Sequence, residues 1–360
     1  MKRIALIFLL CSLSIAVFAQ SREIFENRLG QLEKDLSQML PDSEPGASVI
    51  ITHDNKVIFD KYYGLANLES GQKLNSGHVL GIASMSKQFT GMAVLFLVQE
   101  GKLKLDDDIN QYFPELPLSG RKISVKQLLS HTSGLPELTQ NDEFMNSIDQ
   151  AHTVDQVIDL AFKGEFRGEP GEKYIYCNTG YTIIVALIEK LSKMDYAAFL
   201  KKKIFQPLKM KDTYACDFRN DAVNAVQRYL SDSAGFRKAR IMHFSNLIGG
   251  GGVISNSRDM AKWEMALLSG KKLPQNYQKI WEPILLNSGK STDYGLGLGI
   301  SDFDGRKFYY HPGMGDGMNS IDLIFPDYDL TITVIRNVSK PKHSSNNISL
   351  LAAKYLLQND

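Results

Sequence analysis

Cysteine is scarce in this chain, and one of its three cysteines, Cys11, sits in an N-terminal apolar run. That leaves Cys177 and Cys216, too few to staple a chain of 360 residues with a 43% apolar composition, so the fold must rest on packing. Two free thiols are expected in preference to a Cys177–Cys216 bridge. A dominant charge sign is also missing: 41 Lys and Arg stand against 40 Asp and Glu, in no long like-charged blocks. Such a balance gives no electrostatic footprint for nucleic acid or anionic lipid. The seven histidines form no His-Glu-x-x-His and have no paired-cysteine spacing beside them, so no metal site is expected. Gly295-Leu296-Gly297-Leu298-Gly299 lacks the third spaced glycine of a nucleotide fingerprint, and no cofactor is expected either. No serine lies in a Gly-x-Ser-x-Gly elbow, which disfavours a Ser-His-Asp hydrolase. Repeats, low-complexity tracts and Pro/Gly-rich linkers are absent.

The longest apolar run, Ile4 to Val17, follows Lys2 and Arg3 and ends in Val17-Phe18-Ala19. It is too short for the ~20 residues that span a bilayer and has the layout of a cleaved secretory signal over residues 1–19. The expectation is a periplasmic or secreted chain with no integral membrane segment after cleavage. With no heptads and a near-neutral surface, a monomer is the default.

Phe25, Leu29, Leu32, Leu36 and Met39 recur at helical steps between Arg22 and Leu40, and Pro41 stops the pattern. Ala47–Thr52 and Val57–Tyr63 are β-branched or aromatic runs around a turn, which predicts a hairpin. Near the other end, Tyr294–Ile300, Lys307–His311, Ser320–Phe325 and Leu330–Arg336 have connections so short that they predict antiparallel strands, with a last helix over Ile348–Leu357. The middle predicts helices, among them Val154–Lys163 and Thr182–Leu191. The simplest architecture is α+β: one antiparallel sheet from both chain ends, flanked by helices (about 20–105 and 245–360), with an inserted, mainly helical lobe (about 106–244). A cleft between the lobes is the expected place for a site.

Three short motifs carry chemistry. Ser84-Met85-Ser86-Lys87 opens Gln88–Gln99, apolar nearly all round and so a buried helix. Ser84 and Lys87 share a face, and burial depresses a lysine until its amine can activate a neighbouring hydroxyl. The spacing alone is weak, since Ser70/Lys73, Ser119/Lys122, Ser269/Lys272 and Ser339/Lys342 repeat it in polar, Gly- or Pro-punctuated settings. Tyr176-Cys177-Asn178, the one Tyr-x-Asn among fifteen tyrosines, follows the turn Pro170-Gly171-Glu172-Lys173. A tyrosine there can move a proton and an asparagine can bind a substrate amide, although a buried tyrosine beside a turn asparagine is the plainer reading of this motif alone. His311-Pro312-Gly313, the one His-x-Gly, falls where a strand meets Gly313-Met314-Gly315-Asp316-Gly317, and glycine lets backbone and ligand approach closely.

Taken in order, these motifs resemble those of the penicillin-recognising serine enzymes, in the branch related to class C β-lactamases. Leu128-Leu129-Ser130-His131-Thr132-Ser133-Gly134-Leu135, Pro207-Leu208-Lys209-Met210-Lys211-Asp212-Thr213, Gly250-Gly251-Gly252-Val253-Ile254-Ser255 with Asp259-Met260-Ala261, and Tyr294-Gly295-Leu296-Gly297 are also similar to that family's segments. The resemblance covers nearly the whole mature chain and implies a β-lactamase/transpeptidase-like fold. It implies Ser84 as acylated nucleophile, Lys87 and Tyr176 as the proton-shuttling pair, and Asn178 as the residue that orients substrate. Amides of Ser84 and Met314 would form the oxyanion hole. His311 and Gly313 would occupy the third motif, with His311 in place of a lysine. His131 is expected to be structural to its loop.

Two departures bear on substrate. The family's lactamases carry Lys-Thr-Gly, whose cation and hydroxyl hold a carboxylate; here a largely neutral His311 and Pro312, with neither hydroxyl nor N–H, weaken that selection. Cys177 replaces a small residue and is expected to point away from Tyr176 and Asn178. The implied function is an exported serine hydrolase working through an acyl-enzyme on an ester or peptide-like amide, whether small molecule or cell-wall peptide. D-alanyl-D-alanine carboxypeptidase and weak β-lactamase are the alternatives, and a non-catalytic cell-wall peptide-binding module is the least favoured. Pro136–Met145 and Ser231–Met242 are expected as specificity loops with no readable code.

Overall fold

Strands from both ends of the chain meet in one six-stranded antiparallel sheet. The computed structural model describes residues 25–215 and 225–358; the expected signal segment 1–19, Cys11 and Cys216 fall outside them. The strands are β1 (Ala47–His53), β2 (Lys56–Tyr63), β3 (Gly299–Phe303), β4 (Arg306–Gly315), β5 (Met318–Phe325) and β6 (Leu330–Arg336), in the order β3-β4-β5-β6-β1-β2. Pairing of Ala47 with Arg336 and of His53 with Leu330 joins the two ends of the chain. The tight β1–β2 turn has positive φ at Asp54 and Asn55, and the β3–β4 turn has it at Asp304 and Gly305. That is the backbone a two-residue hairpin with native twist demands, and it explains the Asp, Asn and Gly found there.

Helices α1 (residues 25–39), α2 (Lys87–Gln99), α3 (Val154–Ala161), α4 (Asn178–Ser192), α5 (Ser257–Ser269) and α6 (Ser345–Leu357) cover the sheet and fill the middle of the chain. Strand periodicity sorts the two faces. Val49, Ile51, Ile321, Leu323, Ile332 and Val334 pack with Leu32 and Leu36 of α1 and Ile348 and Ala352 of α6. Alternate residues face the other way, where Ile324 and Ile335 join a core with α2, α4 and α5. The fold is thus α+β, and burial on both sheet faces explains why β5 and β6 are fully buried strands.

Three expectations need correction. Tyr294–Ile300 is not a strand throughout, because β3 begins at Gly299. Tyr294–Leu298 instead turns back, with the Gly295 amide donating to the Leu298 carbonyl (2.8 Å) and Gly297 at φ +114°. A Cβ on Gly297 would lie 2.6 Å from the Lys87 carbonyl oxygen, so this apolar segment is a loop pressed onto α2. The strand expected to stop at His311 runs on to Gly315, with Pro312 paired to Ile321. Pro312 lies beyond the last β3 partner, since Gly299 pairs with Tyr310, so β4 has by then lost the neighbour on that edge. Within the segment expected as the loop Ser231–Met242, Tyr229–Asp232 and Gly235–Lys238 form a hairpin.

Candidate active site

A one-turn 3₁₀ segment, Ala83–Ser86, leads directly into α2 and places Ser84. Ala83 holds a left-handed φ of +47°, a costly conformation for a residue with a Cβ. Its surroundings fix it: the Ser86 hydroxyl donates to the Ala83 carbonyl (2.6 Å) and accepts from the Val253 amide (3.0 Å). From the other side the Ser320 hydroxyl donates to the Ile82 carbonyl (2.8 Å). Gly313 meets the same turn, where a Cβ would come within 2.3 Å of the Ile82 oxygen and 2.2 Å of Ser320 Oγ. The glycine is therefore what lets β4, and with it Met314, lie against the Ser84 turn. Met85, Ser86 and Lys87 are buried, while Ser84 is partly exposed.

Lys87 Nζ has three oxygen neighbours: Ser84 Oγ at 3.2 Å, Asn178 Oδ1 at 2.9 Å and the Gly250 carbonyl at 2.7 Å. Burial lowers its pKa to about 7, with the Glu137 and Cys177 charges pulling the other way. A neutral amine has two N–H donors and one lone pair. Asn178 Oδ1 and the Gly250 carbonyl can only accept, so they take the two donors and leave the lone pair to the Ser84 hydroxyl. The asparagine cannot turn over, because its Nδ2 donates to Glu137 Oε1 (2.9 Å) and its backbone amide donates to Glu137 Oε2 (2.7 Å).

Tyr176 is half-buried, and desolvation pushes its phenol up, so it stays protonated at neutral pH. Its ring lies 4.8 Å from Lys87 Nζ and 4.1 Å from the His131 ring. His131 is buried at φ +61°, and its Nδ1 accepts from the Cys177 amide (3.0 Å). Burial and the Lys87 charge hold it well below the usual histidine range, so it is the neutral Nε2–H tautomer. It props the Tyr176–Asn178 segment from beneath. The Cys177 thiol points away, to the Pro136 carbonyl at 3.6 Å.

His311 is also buried and neutral, its pKa brought down to about 3 by burial and then by the Lys87 charge. Its Nδ1 lies 2.8 Å from the Pro312 carbonyl, which only accepts, so Nδ1 carries the proton and Nε2 accepts from the Tyr294 hydroxyl at 2.8 Å. Behind it, the His311 amide donates to Asp322 Oδ1 (2.8 Å), and Gln88 Nε2 donates to Asp322 Oδ2 (2.7 Å). This bridge locks α2, one residue past Lys87, to β4.

A cavity of about 750 Å³ gathers Ser84, Tyr176, Asn178, His311 and Met314 on one wall. Lys87 and Gly313 lie just behind that wall. Tyr174, Tyr294 and Tyr310 with Met145, Met242 and Met318 make much of the rest apolar, and Asp293, Asp316 and Arg228 also border it. All seven residues singled out in the sequence thus converge, across more than two hundred positions. Sequence reasoning missed Glu137, the Gly250 carbonyl and Tyr294 as parts of the site, and Arg167, which donates to the Tyr176 carbonyl (2.8 Å) with its guanidinium 3.7 Å from Glu137. Three of these had a positional signal: Glu137 follows the Leu128–Leu135 segment by two residues, and Gly250 and Tyr294 open segments already singled out.

A family model described as Beta-lactamase matches residues 32–355. The chain is similar to penicillin-binding protein 4* of Bacillus subtilis (strain 168), 26% identical over 331 residues that span 86% of this chain and 72% of that one. It is similar in structure to an octameric penicillin-binding protein homologue from Pyrococcus abyssi, with TM-score 0.78 and 27% identity over 91% of this chain and 77% of the other. D-amino acid amidase from Ochrobactrum anthropi SV3, complexed with L-phenylalanine amide, gives TM-score 0.76 over 91% of this chain and 98% of its own, at 24% identity, a likeness of fold alone.

Proposed function

We propose, from the premise that the chain belongs to the Beta-lactamase family of serine hydrolases, that it cleaves an ester or peptide-like amide through an acyl-enzyme on Ser84. The observation that carries this reading is the buried Lys87 amine, whose neutral form is left by Asn178 and Gly250 with its lone pair toward Ser84 Oγ. Ser84 Oγ attacks the acyl carbonyl as its proton passes to Lys87. The backbone amides of Ser84 and Met314 hold the oxyanion. Tyr176, protonated in the resting enzyme, relays a proton from Lys87 to the leaving group, and water then attacks the acyl-enzyme with Lys87 again as base. Asn178 presents its amide to the substrate side of the cavity. The Lys2-Arg3 start and the apolar run after it support export to the periplasm or medium.

His311 bears on the substrate class. Both its ring nitrogens are engaged and it carries no charge, so the third motif supplies no cation for a carboxylate. The site accordingly favours neutral esters and amides over penicillins and D-alanine termini. The test is steady-state turnover of a neutral p-nitrophenyl ester, a D-amino-acid anilide and a penicillin by wild type and Ser84→Ala. Ester or anilide turnover at least about tenfold above penicillin in kcat/KM, abolished in Ser84→Ala, supports the reading; efficient penicillin turnover refutes the specificity argument.

A further inference from the structure

Glu137 stands outside the three motifs, yet it is bound more closely than any of them. Its carboxylate accepts from four donors: the Asn178 amide (2.7 Å), Asn178 Nδ2 (2.9 Å), the Thr139 amide (3.2 Å) and the Thr139 hydroxyl (2.8 Å). All four donate and none accepts, three of them to Oε1 and one to Oε2, the surroundings that suit an acceptor-only group. It is buried, with the Arg167 guanidinium 3.7 Å away. A buried charge is retained at a cost unless its surroundings need it. Two needs are visible. The first turn of α4 has no side-chain cap from Cys177, and Glu137 takes the Asn178 amide in its place. The second is the Asn178 side chain, where only a partner that accepts at Nδ2 forces Oδ1 toward Lys87.

We propose that Glu137 is a positioning residue of the acylation step: it fixes the Asn178 amide with its oxygen on Lys87, and its negative charge acts on the Lys87 amine across that amide. The inference rests on the reading of Lys87 as the base for Ser84. Other groups face the same amine: Cys177, Tyr176 and Tyr181 from the start of α4 and the segment before it, His131 from the preceding loop and His311 from β4. Both histidines are held neutral by burial, and Tyr176 and Tyr181 are held protonated, so Glu137 is the charge that a single substitution can remove. Arg167 opposes it from the far side.

The sign follows from the roles. Lys87 must be neutral to accept the proton, so kcat/KM falls as pH drops through its pKa. Glu137 favours the ammonium and holds that pKa up. In Glu137→Gln the acid limb of the pH profile should move to lower pH by about one unit, with the plateau reduced about tenfold or more as Asn178 loses its fixed orientation. In Arg167→Gln the carboxylate acts unopposed, and the limb should move to higher pH. A merely structural role lowers the plateau in both variants and leaves the limb in place. The experiment is kcat/KM for a p-nitrophenyl ester between pH 5 and 9, with thermal melts of each variant. Opposite displacements support the proposal; an unmoved limb in a folded Glu137→Gln overturns it. Should Glu137→Gln lack a cooperative melt, an unmoved or lowered limb in Arg167→Gln overturns it as well. Turnover surviving in Ser84→Ala would instead bring down the acyl-enzyme reading, so the two failures are separable.

Discussion

Lys87→Met should abolish turnover and gain stability relative to wild type as the pH falls from 9 to 7. Burial brings the Lys87 amine from 10.5 to about 7, a difference worth about 5 kcal/mol of unfavourable burial well below pH 7 and about 4 kcal/mol at pH 7. The folded pKa of a base lies here below its unfolded value, so between about pH 7 and 10 the unfolded chain binds more protons than the folded one. Wild-type stability therefore rises with pH across that window. At pH 9 about 2 kcal/mol of the penalty remains, so about 2 kcal/mol is relieved between pH 7 and 9. Methionine has no such term. It does leave the Asn178 and Gly250 oxygens without the Lys87 donor, at about 1–3 kcal/mol each, but that loss is the same at both pH values and cancels in the comparison. The assay is urea unfolding of wild type and Lys87→Met at pH 7 and 9, under the same salt. The stability of the variant relative to wild type should be about 2 kcal/mol lower at pH 9 than at pH 7. A stability difference that does not change with pH would refute the reasoning, because it would mean that Lys87 is charged in the folded protein throughout.

Tyr176→Phe should lower kcat by about 10²- to 10⁴-fold on an anilide, whose leaving amine needs a proton, and far less on a p-nitrophenyl ester, whose phenolate departs unaided; equal losses on both would count against the relay. Gly313→Ala should cost about 3 kcal/mol or more and reduce acylation together with stability, because the added carbon would lie within 2.3 Å of the Ile82 oxygen and Ser320 Oγ; a denaturation midpoint like wild type would show that β4 can retreat from the Ser84 turn.

Much of this was legible because it depends on periodicity or on rare combinations. The hairpin β1–β2, the strands β5 and β6 and the last helix announce themselves by alternation, turn residues and spacing. Ser84, Lys87, Tyr176, Asn178 and His311 were found as types at fixed offsets, and the helices and the sheet bring four of them to one cavity with Lys87 just behind its wall. The Tyr294–Leu298 segment misled because a loop buried on α2 has the same apolar content as a strand, and only the Gly297 conformation separates them. Arg167 carried no signal, and Glu137 only its place two residues after the Leu128–Leu135 segment. A carboxylate in a loop is one of forty acidic residues, and its role shows only in its four hydrogen bonds. The neutrality of His311 was expected from its ordinary pKa, but its cause, burial with Tyr294 and Pro312 on its two nitrogens, is a matter of packing.

The most direct test of the central claim is intact-mass measurement of phosphonylation by a fluorophosphonate, followed in time from pH 5 to 9 on wild type and Ser84→Ala. One adduct on wild type and none on Ser84→Ala, at a rate that rises with pH through a midpoint near 7, is the result expected if Lys87 activates Ser84. An adduct that persists in Ser84→Ala, or a labelling rate that is flat across that midpoint, would contradict it.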